Sequence, residues 1–206
     1  MKLMTQALIG IGALAAITGC ASMSDARYTK QAAEVMRASF KESGQAKLDR
    51  LNQDQPQEIC SVELDKKPPV AELERMEKTQ QALLKYPADG KFLGDWREGE
   101  KIAQSGVGKQ FSDNPANPAG GNCYACHQLS PAEISFGTIG PPLQGYGKLR
   151  GNSEAMQRYT YSKIYNPQAF MACSNMPRFG HNGILTEQQI KDVTALLLDP
   201  NSPVNQ

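Results

Sequence analysis

Neither sign of charge dominates this chain. Its 22 lysines and arginines stand against 21 aspartates and glutamates, which leaves no electrostatic excess to draw a polyphosphate and argues against nucleic acid as a partner. No stretch alternates with the period of a strand, no unit repeats, and no glycine-rich phosphate loop occurs, so sheet folds, solenoids and P-loop nucleotide chemistry find no support. The apolar run "ALIGIGALAAI" is too short to span a membrane comfortably as a mature helix. Histidine is scarce as well: there are 2, His127 and His181.

What is present at the start is informative. Lys2 supplies a short positive region, the apolar run follows, and Ile17, Thr18, Gly19 and Cys20 close it. This is the pattern of an export signal. The four residues resemble the bacterial lipobox, which implies lipidation of Cys20 as the mature N-terminus; ordinary cleavage after Ala21 is the alternative. More than one acyl chain on Cys20 is what stable anchoring requires. The protein is therefore expected outside the cytoplasm, in the periplasm and held to a membrane by its N-terminal lipid, with residues 1–19 as the signal. In that compartment thiols can oxidise and stay oxidised.

The next segments have helical spacing. From residue 25, "DARYTKQAAEVMRASFKESGQAKLDRLNQ" puts Tyr28, Ala32, Val35 and Ser39 on one face, which predicts an amphipathic helix. A break at "NQDQPQEIC" and a stiff linker "DKKPPV" precede a second helical run through Val70, Leu73, Met76, Gln80 and Leu83, which Pro87 stops. Residues 20–91 thus read as a helical extension and linker, and 92–206 as a separate domain of short helices between Gly- and Pro-rich loops. In that domain "GDWREGEKIAQSG" is a helix with Trp96, Gly99 and Ala103 along one side, and "FGTIGPPLQGYGKLRG" is irregular. A helix is expected around "SEAMQRYTYSKIYN", with Tyr159, Tyr161 and Tyr165 packing in the core. The terminal helix opens on Thr186 with Gln189 as a capping box and carries Ile190, Val193 and Leu197 as its apolar stripe. The fold class is all-α.

The chemistry sits in "GNCYACHQLS". Cys123, Cys126 and His127 form Cys-x-x-Cys-His, the attachment signature of c-type haem: two thiols to add across the vinyl groups and an imidazole directly after the second. A redox dithiol would usually open a helix after a strand, and a zinc site would need a second ligand pair, for which only isolated Cys60, Cys173 and His181 remain. The cofactor expected is one covalent haem c. There are 5 cysteines; with Cys20 lipidated and two on the haem, Cys60 and Cys173 are left to pair as a disulfide.

Candidates for the second axial ligand are Met171, Met176 and His181 in "AFMACSNMPRFGHNG". Met176 is favoured. It lies in an irregular segment between two helices, and Pro177 behind it restricts its backbone to extended forms, stiffening a loop that must present a thioether. Met171 has helical surroundings, where packing is the usual role, and His181 between glycines and an asparagine reads as a solvated loop residue. Ligation by His127 and Met176 fills both faces of the iron, so such a site relays single electrons. "GPP" at 140–142 can supply a carbonyl to His127 Nδ1. Arg178, Lys148 and Arg150 read as solvated charges that could also meet haem propionates or an acidic partner.

The stretches "GNCYACH", "GTIGPPLQGYGKLRG", "YSKIYNPQAFMACSNMPRFG" and "ILTEQQIKDVTALLLDPNSPVN" together resemble the SoxX family, the monohaem cytochrome subunits of the SoxAX complex in periplasmic thiosulfate oxidation. The resemblance covers most of residues 92–206. It implies a class I cytochrome c fold whose first and last helices cross, haem on Cys123 and Cys126, and iron between His127 and Met176. Similarity to small cytochromes c points to Pro141 as the carbonyl for His127. The resemblance further implies pairing with a SoxA cytochrome subunit, transient contact with the SoxYZ carrier protein, and a downstream soluble cytochrome as electron acceptor. It implies a heteromeric S-thiosulfotransferase in which this chain carries electrons and performs no substrate chemistry. A lipobox departs from members of the family that are soluble; a stand-alone lipid-anchored cytochrome serving a terminal oxidase is the alternative.

Overall fold

The computed structural model describes residues 25–61 and 67–206; the expected signal at 1–19, Cys20 and part of the linker lie outside the described residues. The chain divides into two compact units, one ending at Glu42 and the other running Ser43–Gln206. No strand occurs among the described residues, only an isolated bridge between Ser43 and Ala46. The all-α expectation holds.

In the first unit, helix α1 spans Asp25–Ser39 and leaves Tyr28, Val35, Met36 and Phe40 exposed. The long helix expected through residue 53 stops here. Gly44 turns the chain at φ +52°, a left-handed conformation that suits glycine, and Ser43 and Ala46 exchange hydrogen bonds across the turn.

The second unit begins far earlier than the boundary expected at 91/92. Arg50 and Gln45 donate to carbonyls at Lys109, Gln110 and Asp113, which straps residues 45–50 to the loop before the haem motif. Helix α2 (Gln55–Cys60) follows, opened by a capping box between Asp54 and Gln57 with Pro56 in its first turn. Helix α3 (Val70–Ala82) buries Met76 and Gln80. These segments pack on the domain that they were expected merely to precede.

Helix α4 (Trp96–Gln104) starts where the Asp95 side chain accepts from Arg97 N–H. Helix α5 (Tyr146–Arg150) is a single ordered piece within the stretch expected to be irregular; Gly145 and Gly151, at φ +69° and +76°, open and close it. Helix α6 (Glu154–Tyr165) is capped by Ser153, and α7 (Glu187–Leu198) by the reciprocal Thr186 and Gln189 bonds, at 3.2 and 3.0 Å. Tyr161 and Tyr165 enter the core, whereas Tyr159 is exposed against Phe170 because its helical position lies on the outer side of α6.

Helices α4 and α7 meet closely through Gly99. A Cβ there would stand 2.2 Å from the Asp192 carbonyl oxygen and 3.0 Å from Leu196 Cβ. Neither backbone can retreat easily, since Gly94 N–H and Asp95 N–H are already bonded to Lys191 O and Asp192 Oδ1 at 3.0 and 2.9 Å. Gly99→Ala is expected to cost about 3 kcal/mol by overpacking, measurable as a lower urea midpoint with an unchanged m-value.

Candidate haem-binding site

The cysteine motif folds as one 3-10 turn, Cys123–Ala125, entered through Asn122 in the left-handed region, which asparagine tolerates. Cys126 N–H and His127 N–H both donate to the Cys123 carbonyl, at 3.1 and 2.9 Å. The two thiols and the imidazole therefore issue from a single turn. Tyr124, between the cysteines, is buried; its hydroxyl donates to Glu100 of α4 at 2.9 Å and accepts from Ser130 N–H at 3.3 Å. That bolt ties the motif to the helix pair, and nothing in the sequence pattern pointed to it.

Cys123 and Cys126 are free, partly buried thiols, and burial, followed by the nearby Cys126 and Glu100, pushes the Cys123 thiol up to about 12. It is a neutral S–H at ordinary pH. The zinc alternative lacks its ligands, because no group of 3 or more His, Cys, Asp or Glu side chains converges among the described residues.

The loop after the motif runs back along it. Gly137, Gly140 and Leu143 donate N–H to the carbonyls of Tyr124, Cys126 and Gln128 at 2.8, 2.8 and 2.7 Å. This lacing brings Pro141 O to 2.8 Å from His127 Nδ1. A carbonyl only accepts, so Nδ1 carries the proton and Nε2 presents its lone pair. Gly140 cradles the ring: a Cβ would stand 2.2, 2.5 and 2.7 Å from His127 Cε1, Nδ1 and Nε2. The chain thus offers an oriented imidazole with a free Nε2 beside two unpaired thiols, and these residues fit covalent haem.

Of the candidates for the opposite face, Met176 is partly buried and packs against the same apolar core as Cys123. Met171 is 59% exposed, not packed as expected, because the chain has already left the 3-10 turn Pro167–Ala169. His181 is half-buried, not solvated; Gly180 N–H and His181 N–H both bond to the Tyr165 carbonyl, drawing the loop inward. Burial, with Arg178 adding to it, lowers the His181 pKa, so the ring is neutral at pH 7. Cys60 and Cys173 form a disulfide across 113 residues.

Arg178 overturns its expectation as a solvated charge. It is 6% exposed, ion-paired through Nη2 with Asp54, and its buried Nη1 has no partner among the described residues. That spare donor suits an anion such as a haem propionate. Lys148 and Arg150 stay at the surface, Arg150 lying over the Tyr146 ring.

A family model described as cytochrome c matches residues 107–199. An uncharacterized lipoprotein of Aquifex aeolicus (strain VF5) is 41% identical over 157 residues, covering 75% of this chain and 73% of the relative. A crystal structure of SoxXA from P. pantotrophus is 28% identical, covers 52% of this chain and 82% of that one, and has a TM-score of 0.36.

Proposed function

We propose that this chain, matched over residues 107–199 by a cytochrome c family model, is the electron-transfer subunit of a SoxAX-type thiosulfate-oxidising complex, with His127 and Met176 as axial ligands. Bound haem c supplies a one-electron iron couple. The observation that carries the ligand assignment is the 2.8 Å bond from His127 Nδ1–H to Pro141 O, which aims Nε2 as a ligand, together with a loop that keeps Met176 against the same apolar cluster as Cys123. Two protein ligands leave no position for oxygen or peroxide. Cys123 and Cys126 would hold the group, Tyr124 and the 137–143 loop keep the imidazole in place, and Arg178 Nη1 would be available to a propionate.

The SoxX-like stretches support the partners: a SoxA cytochrome subunit, the SoxYZ carrier, and a soluble cytochrome acceptor. In the reaction a carrier thiol and thiosulfate form a sulfur–sulfur bond, releasing one proton and two electrons, which this chain would pass on singly. Periplasmic placement and a lipid on Cys20 belong to the same proposal. They rest on the signal pattern and on the lipoprotein relative; among the described residues no helix is long and apolar enough to cross a membrane.

A second reading, a stand-alone anchored carrier serving a terminal oxidase, draws on one observation. The described residues of 43–91 belong to the same compact unit as this chain's own haem domain, so most of the extension is not left over to cover another subunit. Isolation of the native protein separates the two. The first reading expects a second c-type cytochrome to co-purify and the haem to be reduced within turnover time when thiosulfate and carrier are added. A monomer that stays oxidised in that mixture, yet is oxidised by a terminal oxidase after chemical reduction, would leave the second reading standing.

A further inference from the structure

The segment that carries Met176 is held by residues from the other end of the unit. Gln81 Nε2 donates to the Ala169 carbonyl at 2.8 Å, and Glu77 Oε1 accepts from Ala172 N–H at 2.8 Å. Cys60 is bonded to Cys173, three residues before Met176, and Asp54 is paired with buried Arg178, two residues after it. Between these last anchors lie only Ser174, Asn175, Met176 and Pro177, and Met176 N–H donates to Ser174 Oγ at 3.3 Å. Cys173 itself sits at φ +58°, a backbone region that residues other than glycine seldom occupy, so this bend is kept by its surroundings.

We propose that Asp54, Cys60 and Glu77 are positioning residues for Met176: helices α2 and α3 clamp the ligand loop on both sides and set how firmly its thioether is held on the iron. The inference rests on Met176 being the axial ligand, as argued above. Its physical basis is preorganisation. A loop tethered at both ends loses little freedom when its methionine binds, whereas one tethered only at distant helices must surrender that freedom on each binding event. The clamp therefore raises the effective concentration of the thioether at the iron and makes displacement by another ligand harder.

A disulfide that only supported the fold would leave this ligand equilibrium alone, and that difference gives the test. Imidazole competes with the methionine for oxidised iron, so its apparent affinity for the holo-protein measures how easily the native ligand leaves. In Cys60→Ser/Cys173→Ser, imidazole is expected to bind about tenfold more tightly than to wild type. Amide exchange at Ser174–Arg178 is expected to quicken by a similar factor, with exchange in α4 and α7 unchanged. Gly99→Ala is the control, since it loses stability remote from the clamp; it should leave imidazole binding as in wild type.

Asp54→Asn gives an independent reading. Asn still caps α2 through its oxygen, because Asp54 Oδ1 accepts from Gln57 N–H while Oδ2 meets Arg178, so only the ion pair is weakened. It should move imidazole affinity in the same direction by a smaller factor, and it decides the matter if the double variant fails to accumulate. Unchanged imidazole affinity in the clamp variants, or an equal change in Gly99→Ala, overturns the clamp. Coincident spectra for wild type and Met176→Ala overturn the ligand assignment beneath it, a result read from a different sample.

Discussion

Met176→Ala is expected to yield a folded, haem-bearing protein whose oxidised spectrum has lost the thioether-to-iron charge-transfer band. Its reduction potential should fall by roughly 0.1 V or more, within the ≈ 0.8 V over which axial ligands tune haem. The reduced variant should bind carbon monoxide, whereas the wild type, if both positions are filled as proposed, should not. The reasoning is electronic: a thioether favours the reduced iron relative to a nitrogen ligand or water, so its removal favours the oxidised state. Structure should survive, because Met176 is only partly buried and its loop is tethered at Cys173 and Arg178 regardless of the methionine. Met171→Ala, altering a side chain 59% exposed, should change none of these readings. A Met176→Ala protein with wild-type spectrum and no affinity for carbon monoxide would show that the second ligand comes from elsewhere.

Gly140→Ala should do its damage earlier, when the haem is attached. The added carbon would lie within 2.2 to 2.7 Å of three atoms of the His127 ring, closer than any real Cβ contact. Relief must come from the ring or from the loop. Moving the ring forfeits the 2.8 Å bond to Pro141 O and with it the tautomer that frees Nε2; moving the loop forfeits the Gly140 N–H bond to Cys126 O, also 2.8 Å. Either route costs about 3 kcal/mol and misplaces the imidazole beside the two thiols. Covalent haem per polypeptide, measured by mass spectrometry of the denatured protein, is expected to fall about tenfold or more at that cost. Full haem content with an unaltered low-spin spectrum would mean that the ring has room that the cradle denies.

Much of this site could be read before any fold was known, because the attachment chemistry needs neighbours in sequence. Two thiols and an imidazole must leave one turn together, so Cys123, Cys126 and His127 announce themselves. The capping box at Thr186 and the apolar stripe of α7 are equally local and equally legible. Spacing failed where a residue's fate depends on what lies opposite. Arg178 looks like any surface cation until Asp54, 124 residues away, is folded against it, and Tyr159 looks like its buried neighbours Tyr161 and Tyr165. Helix α1 ends at Ser39 although helical spacing continues beyond it, and Gly44 turns the chain.

By itself, the sequence determined the haem-attachment signature at Cys123, Cys126 and His127 and a chain built of helices, since each of those properties is written in residues a turn or two apart. Only the tertiary structure decided that helices α2 and α3 belong to the haem unit and close on the loop around Met176. Contacts between residues 54 and 178, 60 and 173, or 77 and 172 depend on where a folded chain returns, and no local pattern encodes that return.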